Sequence, residues 1–160
     1  MKELIDASRN GELSIIKECL NKGMNVNFKD EKGYTPLIIA TYNHQLEAAK
    51  LLINNGANIN HQDNGGNTAL MGACFKGYLD IVDLLIEKGA DVDLQHGNGG
   101  TALMFAAMFG QNIIVKKLVK MSLVAVALLA SLAVNAEGKI SVLNAQQAII
   151  NTELAQSRLK

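Results

Sequence analysis

Metal binding and thiol chemistry are the first functions to test, because histidine and cysteine are the side chains that most often perform them. The chain contains three histidines, His44, His61 and His96, and two cysteines, Cys19 and Cys74. The histidines lack the spacing of a ligand pair on one helix face, and neither cysteine belongs to a C-x-x-C pair. We therefore expect solvated histidines in turns, and no metal, cofactor or disulfide framework.

Enzymatic chemistry has equally little support in the sequence. The stretch GNGG at residues 97–100 has the glycines of a phosphate-binding loop, but the Lys and Ser or Thr that complete such a loop do not follow it. Glycine also stands at the same turn in two earlier segments, at Gly33 and Gly66, so turn geometry explains the stretch. Because no acid–base pair or nucleophile is in register, we predict that the chain is not an enzyme.

Composition and charge narrow the class of protein further. A chain of 160 residues has room for one domain, or for one domain plus an appendage. Lys and Arg number 15 and Asp and Glu also number 15, which leaves no net positive charge to attract nucleic acid. The chain has no Trp and one Pro. This composition favours a mostly helical protein with an aliphatic core.

The positions of these residues follow an internal repeat with a period of 33 residues. Four columns of identical residues carry it: Thr35, Thr68 and Thr101; Gly33, Gly66 and Gly99; Leu37, Leu70 and Leu103; Ala40, Ala73 and Ala106. The first 30 residues follow the same register without their first turn, and the copy that begins at residue 97 is incomplete.

Each copy predicts two helices. The Thr at the start of the first helix is expected to act as its N-cap. The second helix, such as YLDIVDLLIEKG at residues 78–89, has a wide apolar face, and Gly56 and Gly89 are expected to cap such helices at their C-terminal ends. Cys19 falls in the column of two leucines of this face and is predicted to be buried. No copy can bury its apolar faces alone, so the copies must stack.

This pattern resembles the ankyrin-repeat family. TPLIIA at Thr35, the weaker TALMGA and TALMFA, and the turns NNGANIN and EKGADVD carry the resemblance, which covers residues 1–120. It implies an all-α solenoid of repeats at residues 1–30, 31–63, 64–96 and 97–120, acting as a protein-binding module without catalysis. The family's His after Leu is replaced by Ile38, Met71 and Met104, so the hydrogen bonds from that ring to the hairpin are expected to be missing.

The resemblance also implies a concave surface for a partner protein, formed by the hairpin tips and the ends of the first helices. The ends form two columns, one of Arg9, Tyr42, Phe75 and Met108 and one of Asn10, Asn43, Lys76 and Phe109. Aromatic and Arg side chains are frequent interface anchors. The alternative is that Phe75 and Phe109 only pack against the neighbouring repeat. The predicted partner-binding residues of this monomeric array are Arg9, Tyr34, Tyr42, Asn43, Asn67, Phe75, Lys76, Met108 and Phe109.

The segment from Met121 to Ala136 differs from the repeats. It carries no charge, follows three lysines and ends in VNA, as a secretion signal does. Its 16 residues are fewer than the roughly 20 that a spanning helix needs. Three outcomes stay open: the segment enters a membrane with the array on the cytoplasmic side, it covers the last repeat as a continuation of its second helix, or the chain is a chimera of two unrelated reading frames. The abrupt change near residues 115–120 favours the chimera as its origin.

The last segment, residues 137–160, predicts a short strand at Lys139 to Leu143 and an amphipathic helix. Next to a signal-like segment, it resembles the mature N-terminus of the OmpH-like family of bacterial periplasmic chaperones. The likeness implies a fragment too short for chaperone activity. The alternative function is therefore a membrane-anchored or exported polypeptide in which the repeat array is passive cargo.

Overall fold

A computed structural model of the chain describes residues 2–121. The chain divides into two compact units, Met1–Lys116 and Lys117–Lys160. In the second unit only residues 117–121 are described, and they are helical.

The sequence predictions for the C-terminal segments fall mostly beyond this range. Of the apolar segment 121–136, residue 121 alone is described, and the strand and helix expected in residues 137–160 lie outside the described residues. Within residues 2–121, no helix combines the length and the hydropathy that crossing a membrane requires.

The regular secondary structure of residues 2–121 is entirely helical, as predicted. Eight helices lie within residues 2–121, and the last of them, α8, covers residues 112–121. The seven helices before it are α1 (Lys2–Asn10), α2 (Leu13–Asn21), α3 (Pro36–Tyr42), α4 (Leu46–Asn54), α5 (Ala69–Lys76), α6 (Leu79–Glu87) and α7 (Ala102–Met108).

The helices of the first unit form two layers. The first helices of the copies, α1, α3, α5 and α7, pack on one another in chain order, and the second helices, α2, α4 and α6, form the other layer. Within each of the first three copies the two helices pack together as a helical hairpin. The expected stack of 33-residue units is therefore present.

The predicted threonine caps are confirmed. Thr35, Thr68 and Thr101 each have extended backbone dihedrals at the N-cap. Each hydroxyl oxygen accepts a hydrogen bond from the backbone N–H three residues later, with distances of 3.3, 3.2 and 3.4 Å. These bonds satisfy N–H groups that have no partner within the helix.

The predicted glycine caps are also confirmed. Gly56 has a φ of 86° and Gly89 a φ of 91°, a left-handed conformation that costs a residue with a side chain about 1–2 kcal/mol. The N–H of Gly56 donates to the carbonyl of Ile53, and the N–H of Ala57 to that of Leu52. This pair of bonds is a Schellman motif, which ends α4 and turns the chain toward the next hairpin.

The core follows the repeat columns. The Leu column is buried at Leu4, Leu37 and Leu70, and the Ala column is buried from Ala7 through Ala40 and Ala73 to Ala106. Alanine at these positions lets neighbouring first helices approach closely. Burying the leucine side chains removes apolar area from water, which stabilises the stack by about 25 cal/mol per Å².

The hairpin loops are joined by main-chain bonds that repeat with the same period. The N–H of Asn64 donates to the carbonyl of Lys32 at 3.0 Å, and the N–H of Gly97 to that of Gly65 at 2.9 Å. At Met71, where the family has a His, the Sδ atom lies 3.5 Å from the N–H of Thr68; a thioether is a weak acceptor. The loops are therefore tied to one another through their own backbone.

Candidate functional site

A groove with a volume of about 340 Å³ runs along α3 and α5. It extends from the hairpin loops that precede these helices to the helices' C-terminal ends. Most of its lining is apolar or aromatic, with polar side chains at the loop end. The lining residues are Tyr34, Ile38, Ile39, Tyr42, Asp63, Asn67, Thr68, Met71, Gly72, Phe75 and Phe105.

The missing side chain at Gly72 opens the groove. The equivalent residues of the neighbouring copies are Ile39 and Phe105, so a large side chain is compatible with this register. A Cβ atom added at Gly72 would lie 3.4 Å from the ring of Tyr42. Glycine inside a helix costs about 0.5–1 kcal/mol relative to alanine, and here that cost accompanies an open space on the surface of the stack.

Three aromatic rings form the wall at the helix ends. The centroids of Tyr42 and Phe75 are 6.4 Å apart with an interplanar angle of 5°, and those of Phe75 and Phe109 are 4.5 Å apart at 80°. Stacked and edge-to-face pairs at these distances stabilise a fold by about 0.5–1.5 kcal/mol beyond their buried area. Tyr42 is nevertheless 42% exposed and Phe109 46% exposed, so the wall faces solvent.

Lys76 places a positive charge beside this wall. Its Nζ atom lies 4.5 Å from the ring centroid of Tyr42 and 5.9 Å from that of Phe75, within the range of cation–π attraction. None of the ion pairs between residues 2 and 121 includes Lys76. The ammonium group is therefore held by rings and keeps its hydrogen-bonding capacity.

Asp63 organises the loop end of the groove. Its Oδ1 atom accepts hydrogen bonds from the N–H groups of Gly65 and Asn67, each at 2.8 Å. The side-chain amide of Asn67 donates to both carboxylate oxygens at 3.1 Å. Asp30 accepts in the same way from the N–H group of Tyr34 in the preceding loop. These bonds position Tyr34 and Asn67 at the edge of the groove. The carboxylate oxygens of Asp63 already accept hydrogen bonds from groups of their own loop.

The structure brings together six of the nine residues that the sequence assigns to partner binding. Four line the groove, Phe109 belongs to the aromatic wall, and Lys76 lies over two rings of that wall. The four that line it are Tyr34, Tyr42, Asn67 and Phe75. The packing alternative also holds in part, because Phe75 and Phe109 do contact each other between neighbouring copies.

The other three residues lie outside the groove. Arg9 is paired with Asp6, with 2.6 Å between Nη1 and Oδ1. The amide of Asn43 donates to the carbonyl of Ile39 in its own helix. Met108 is 74% exposed and contributes nothing to the lining. The aromatic wall thus contains residues of both predicted columns, Tyr42 and Phe75 from the first and Phe109 from the second.

Sequence reasoning missed the groove floor, which consists of Ile38, Ile39, Met71, Gly72 and Phe105. Ile38 and Met71 were considered only as replacements for the family's His. The available signal was the change of size from Ile39 to Gly72 to Phe105 within one column of the repeat. Where the side chain in one column is large in two copies and absent in the copy between them, the sequence indicates a gap in the packed surface.

The expectation of solvated turn histidines holds in part: the His44 side chain is 48% exposed and lies in a turn, but all three rings also make contacts within the fold. The His44 ring stacks on Tyr78 with centroids 4.0 Å apart, and its Nε2–H donates to Asp80 at 2.9 Å. The His61 ring donates to the carbonyl of Gly33 at 3.0 Å. The Nδ1 atom of His96 accepts from the N–H of Asn98 at 3.0 Å. The partners of His44 lie in the next copy, which turn position alone could not reveal.

His44 also occupies an unusual backbone position. Its φ is 59°, whereas the equivalent residues of the other copies are Gly11, Gly77 and Gly110, with φ of 72°, 77° and 69°. Burial tends to raise the pKa of Asp80, but the hydrogen bonds from His44 and from the Ile81 N–H outweigh it and lower that pKa. The ring stack and the hydrogen bond to Asp80 thus accompany a left-handed residue that is not glycine.

The cysteines are buried as predicted for Cys19. Cys19 and Cys74 are both free thiols with almost no exposed surface. Burial raises the pKa of Cys74 to about 12, and burial together with the charge of Glu3 raises the pKa of Cys19. A protonated, buried thiol is a poor nucleophile. Among residues 2–121, no three His, Cys, Asp or Glu side chains cluster as metal ligands would.

Comparison with known families agrees with this geometry. The sequence matches the family model described as ankyrin repeats, in three copies, over residues 4–96. No curated protein matches the chain. The resemblance of residues 137–160 to the OmpH-like chaperones has no counterpart in these results and stays a prediction.

Proposed function

Because the chain belongs to the ankyrin-repeat family, which its match over more than half of the sequence shows, we propose that it binds a partner protein through the groove along α3 and α5. Ankyrin repeats are general protein-interaction modules, and the family is a non-catalytic scaffold. The observation that carries the proposal is the open groove of about 340 Å³ with its exposed aromatic wall.

The physical chemistry of the groove supports this function. Protein interfaces are enriched in aromatic side chains at their centre and have a polar rim. Here Tyr42 and Phe75 provide the aromatic surface, while Asn67 and Lys76 lie at its two ends. A partner that covers the rings would remove apolar surface from water without first rearranging the wall, since the ring contacts already hold it in place.

We further propose that the remaining features belong to the same module. The repeats at residues 1–30, 31–63, 64–96 and 97–120 form one monomeric array that acts in the cytoplasm without catalysis. Arg9, Asn43 and Met108 then contact only the periphery of a partner, because they lie outside the groove.

Binding can be tested by affinity capture with the full chain, comparing the native sequence with a Tyr42→Ala/Phe75→Ala double variant. The matched control is Ile113→Ala, which truncates a side chain that is 68% exposed and lies outside the groove. We expect partners captured by the native chain and the control to be lost from the double variant.

Thermal unfolding of the same three proteins separates binding from folding. Loss of the ring contacts should destabilise the double variant by about 1–3 kcal/mol, which leaves a typical domain folded at low temperature. Capture that is unchanged in a folded double variant would contradict the proposal. The Tyr42→Ala single variant gives a milder test of the same surface.

The alternative, a membrane-anchored or exported chimera with a passive array, depends on residues 121–136. Fractionating cells that express the full chain, or a form that ends at Lys120, distinguishes the two. Recovery of only the full chain in membranes supports targeting. If both forms are soluble and capture the same partner, the segment is not needed for the proposed function.

A further inference from the structure

We propose that the groove selects a partner segment that carries a bulky apolar side chain and, one or two residues away, a carboxylate. This inference rests on the proposed function and names the chemistry of the segment that the groove would bind.

The apolar side chain is inferred from the gap at Gly72. The gap lies in a column between Ile39 and Phe105, and the buried side chains of Ile38 and Met71 line the same groove. Its volume of about 340 Å³ is near the lower end of the 300–1,000 Å³ typical of ligand pockets. A space of this size suits one or two side chains of an extended segment, and its lining favours apolar ones.

The carboxylate is inferred from the charges around the groove. Asp63 is the acidic residue of the lining, and its oxygens already accept four hydrogen bonds from its own loop. Lys76 has no ion pair within the described residues and carries three N–H donors. The site therefore offers an available positive charge and no comparably available negative one, so an acidic segment complements it and a basic one does not.

The spacing follows from the distances at the wall. The Nζ atom of Lys76 lies 4.5 Å from the Tyr42 centroid, and the Tyr42 ring lines the groove. A carboxylate that hydrogen-bonds to Nζ would lie about 3 Å from it, and therefore within about 7.5 Å of the Tyr42 centroid. Since an extended chain advances about 3.3 Å per residue, the acidic residue follows or precedes the apolar one by one or two positions.

Main-chain groups of the segment also have potential partners. The hydroxyl groups of Tyr34 and Tyr42 make no hydrogen bond with any residue in the range 2–121. Each phenol can donate and accept. They lie at opposite ends of the groove and provide polar contacts for an extended backbone.

The test is selection of random twelve-residue peptides from a displayed library on the immobilised full chain. Selected peptides are then synthesised, and their affinities measured by fluorescence anisotropy. Four proteins are compared: the native chain, Lys76→Gln, Gly72→Ile and the control Lys17→Gln, which removes a charge from an exposed position on α2. The Gly72→Ile variant places in this column the side chain that Ile39 already has there.

For the native chain we expect an enriched pattern of a bulky apolar residue within two positions of Asp or Glu. Lys76→Gln should weaken binding of these peptides about two- to five-fold, the range for an exposed ion pair, and added salt should reduce that difference. Gly72→Ile should weaken binding more than about ten-fold because it fills the apolar gap. Lys17→Gln should leave affinity unchanged.

Two results overturn the inference in different ways. If Gly72→Ile abolishes binding but the peptides show no acidic preference and Lys76→Gln leaves their affinity unchanged, the charge assignment is wrong and the proposed function stands. If no selected peptide loses affinity in a Gly72→Ile variant that melts cooperatively, the groove is not the binding surface. That second result contradicts the proposed function as well.

Discussion

Replacing His44 should reveal how the second and third copies are held together. His44 has a φ of 59°, and in a left-handed conformation a side chain costs about 1–2 kcal/mol. Its ring stack on Tyr78 and its contact with Asp80 offset this cost. His44→Ala retains the unfavourable backbone and removes both contacts. The stack contributes about 0.5–1.5 kcal/mol and the half-exposed hydrogen bond to Asp80 about 0.5–1 kcal/mol, so we expect a loss of about 1–2 kcal/mol.

His44→Gly should be less damaging than His44→Ala. Glycine loses the same contacts but relieves the backbone, and should recover about 1 kcal/mol. Two other junctions of the array already have glycine at the position equivalent to His44 and glutamine at the position equivalent to Tyr78. There Gln45 lies over Gly11, and Gln111 lies over Gly77. A His44→Gly/Tyr78→Gln double variant would rebuild this arrangement at the junction between the second and third copies.

Urea unfolding followed by circular dichroism measures these differences at neutral pH. We expect Tyr78→Gln to destabilise the native background and to cost less, by about 0.5–1.5 kcal/mol, when residue 44 is already Gly. An unchanged urea dependence would show that the variants unfold in the same way. If His44→Ala is as stable as His44→Gly, the backbone at residue 44 is not strained; if Tyr78→Gln costs the same in both backgrounds, the ring stack does not stabilise the junction.

Three further predictions concern pH, thiols and the outer loops. The lowered pKa of Asp80 stabilises the fold above its ordinary value of about 3.8, and this contribution is lost as pH falls through the lower folded-state pKa. Asp80→Asn should therefore be less stable than the native chain at neutral pH and nearly equal to it in strong acid, as urea titrations at both pH values can show. Cys19 and Cys74 should resist a maleimide in the native state and react once urea unfolds the chain, and rapid native labelling would contradict their burial. Asn60→Ala should cost about 0.5–2 kcal/mol, because its side chain bonds the Gly89 carbonyl and the Asp91 N–H, whereas Asn54→Ala, at the exposed end of α4, should cost less in the same thermal scan.

Much of the repeat fold could be predicted because its causes lie along the chain. A threonine at the N-cap position of a helix caps it by accepting a hydrogen bond from the N–H group three residues later, as Thr35 and Thr68 do. This contact is local and does not depend on the neighbouring copies. A glycine after the last helical residue ends a helix through its own φ, as Gly56 does. Burial followed as well, because the leucine column can only be covered if equivalent helices stack.

The site was less predictable because its contacts run between copies. The 33-residue columns place Phe75 with Met108 and Lys76 with Phe109, but the ring of Phe75 contacts Phe109 and the ammonium of Lys76 lies over Tyr42. The sideways offset between stacked helices decides which residues meet, and no sequence period contains that offset. The columns identify which residues lie on the surface, whereas the packing of the stacked helices decides which of these residues touch.

Positions that depart from the repeat connect the predictable fold with the less predictable site. Residues that keep their column, such as Leu70, Ala73 and Thr68, are buried or cap helices, so the stack itself uses them. Gly72 and His44 break their columns, and each break has a structural consequence between α3 and the third copy: one opens the groove and the other clamps the junction beside it. A repeat array can vary such positions without losing its stack, because the common columns maintain it. Selectivity for a partner can therefore arise at the irregular positions: Gly72 lines the groove, and His44 follows the groove residue Tyr42 by two positions.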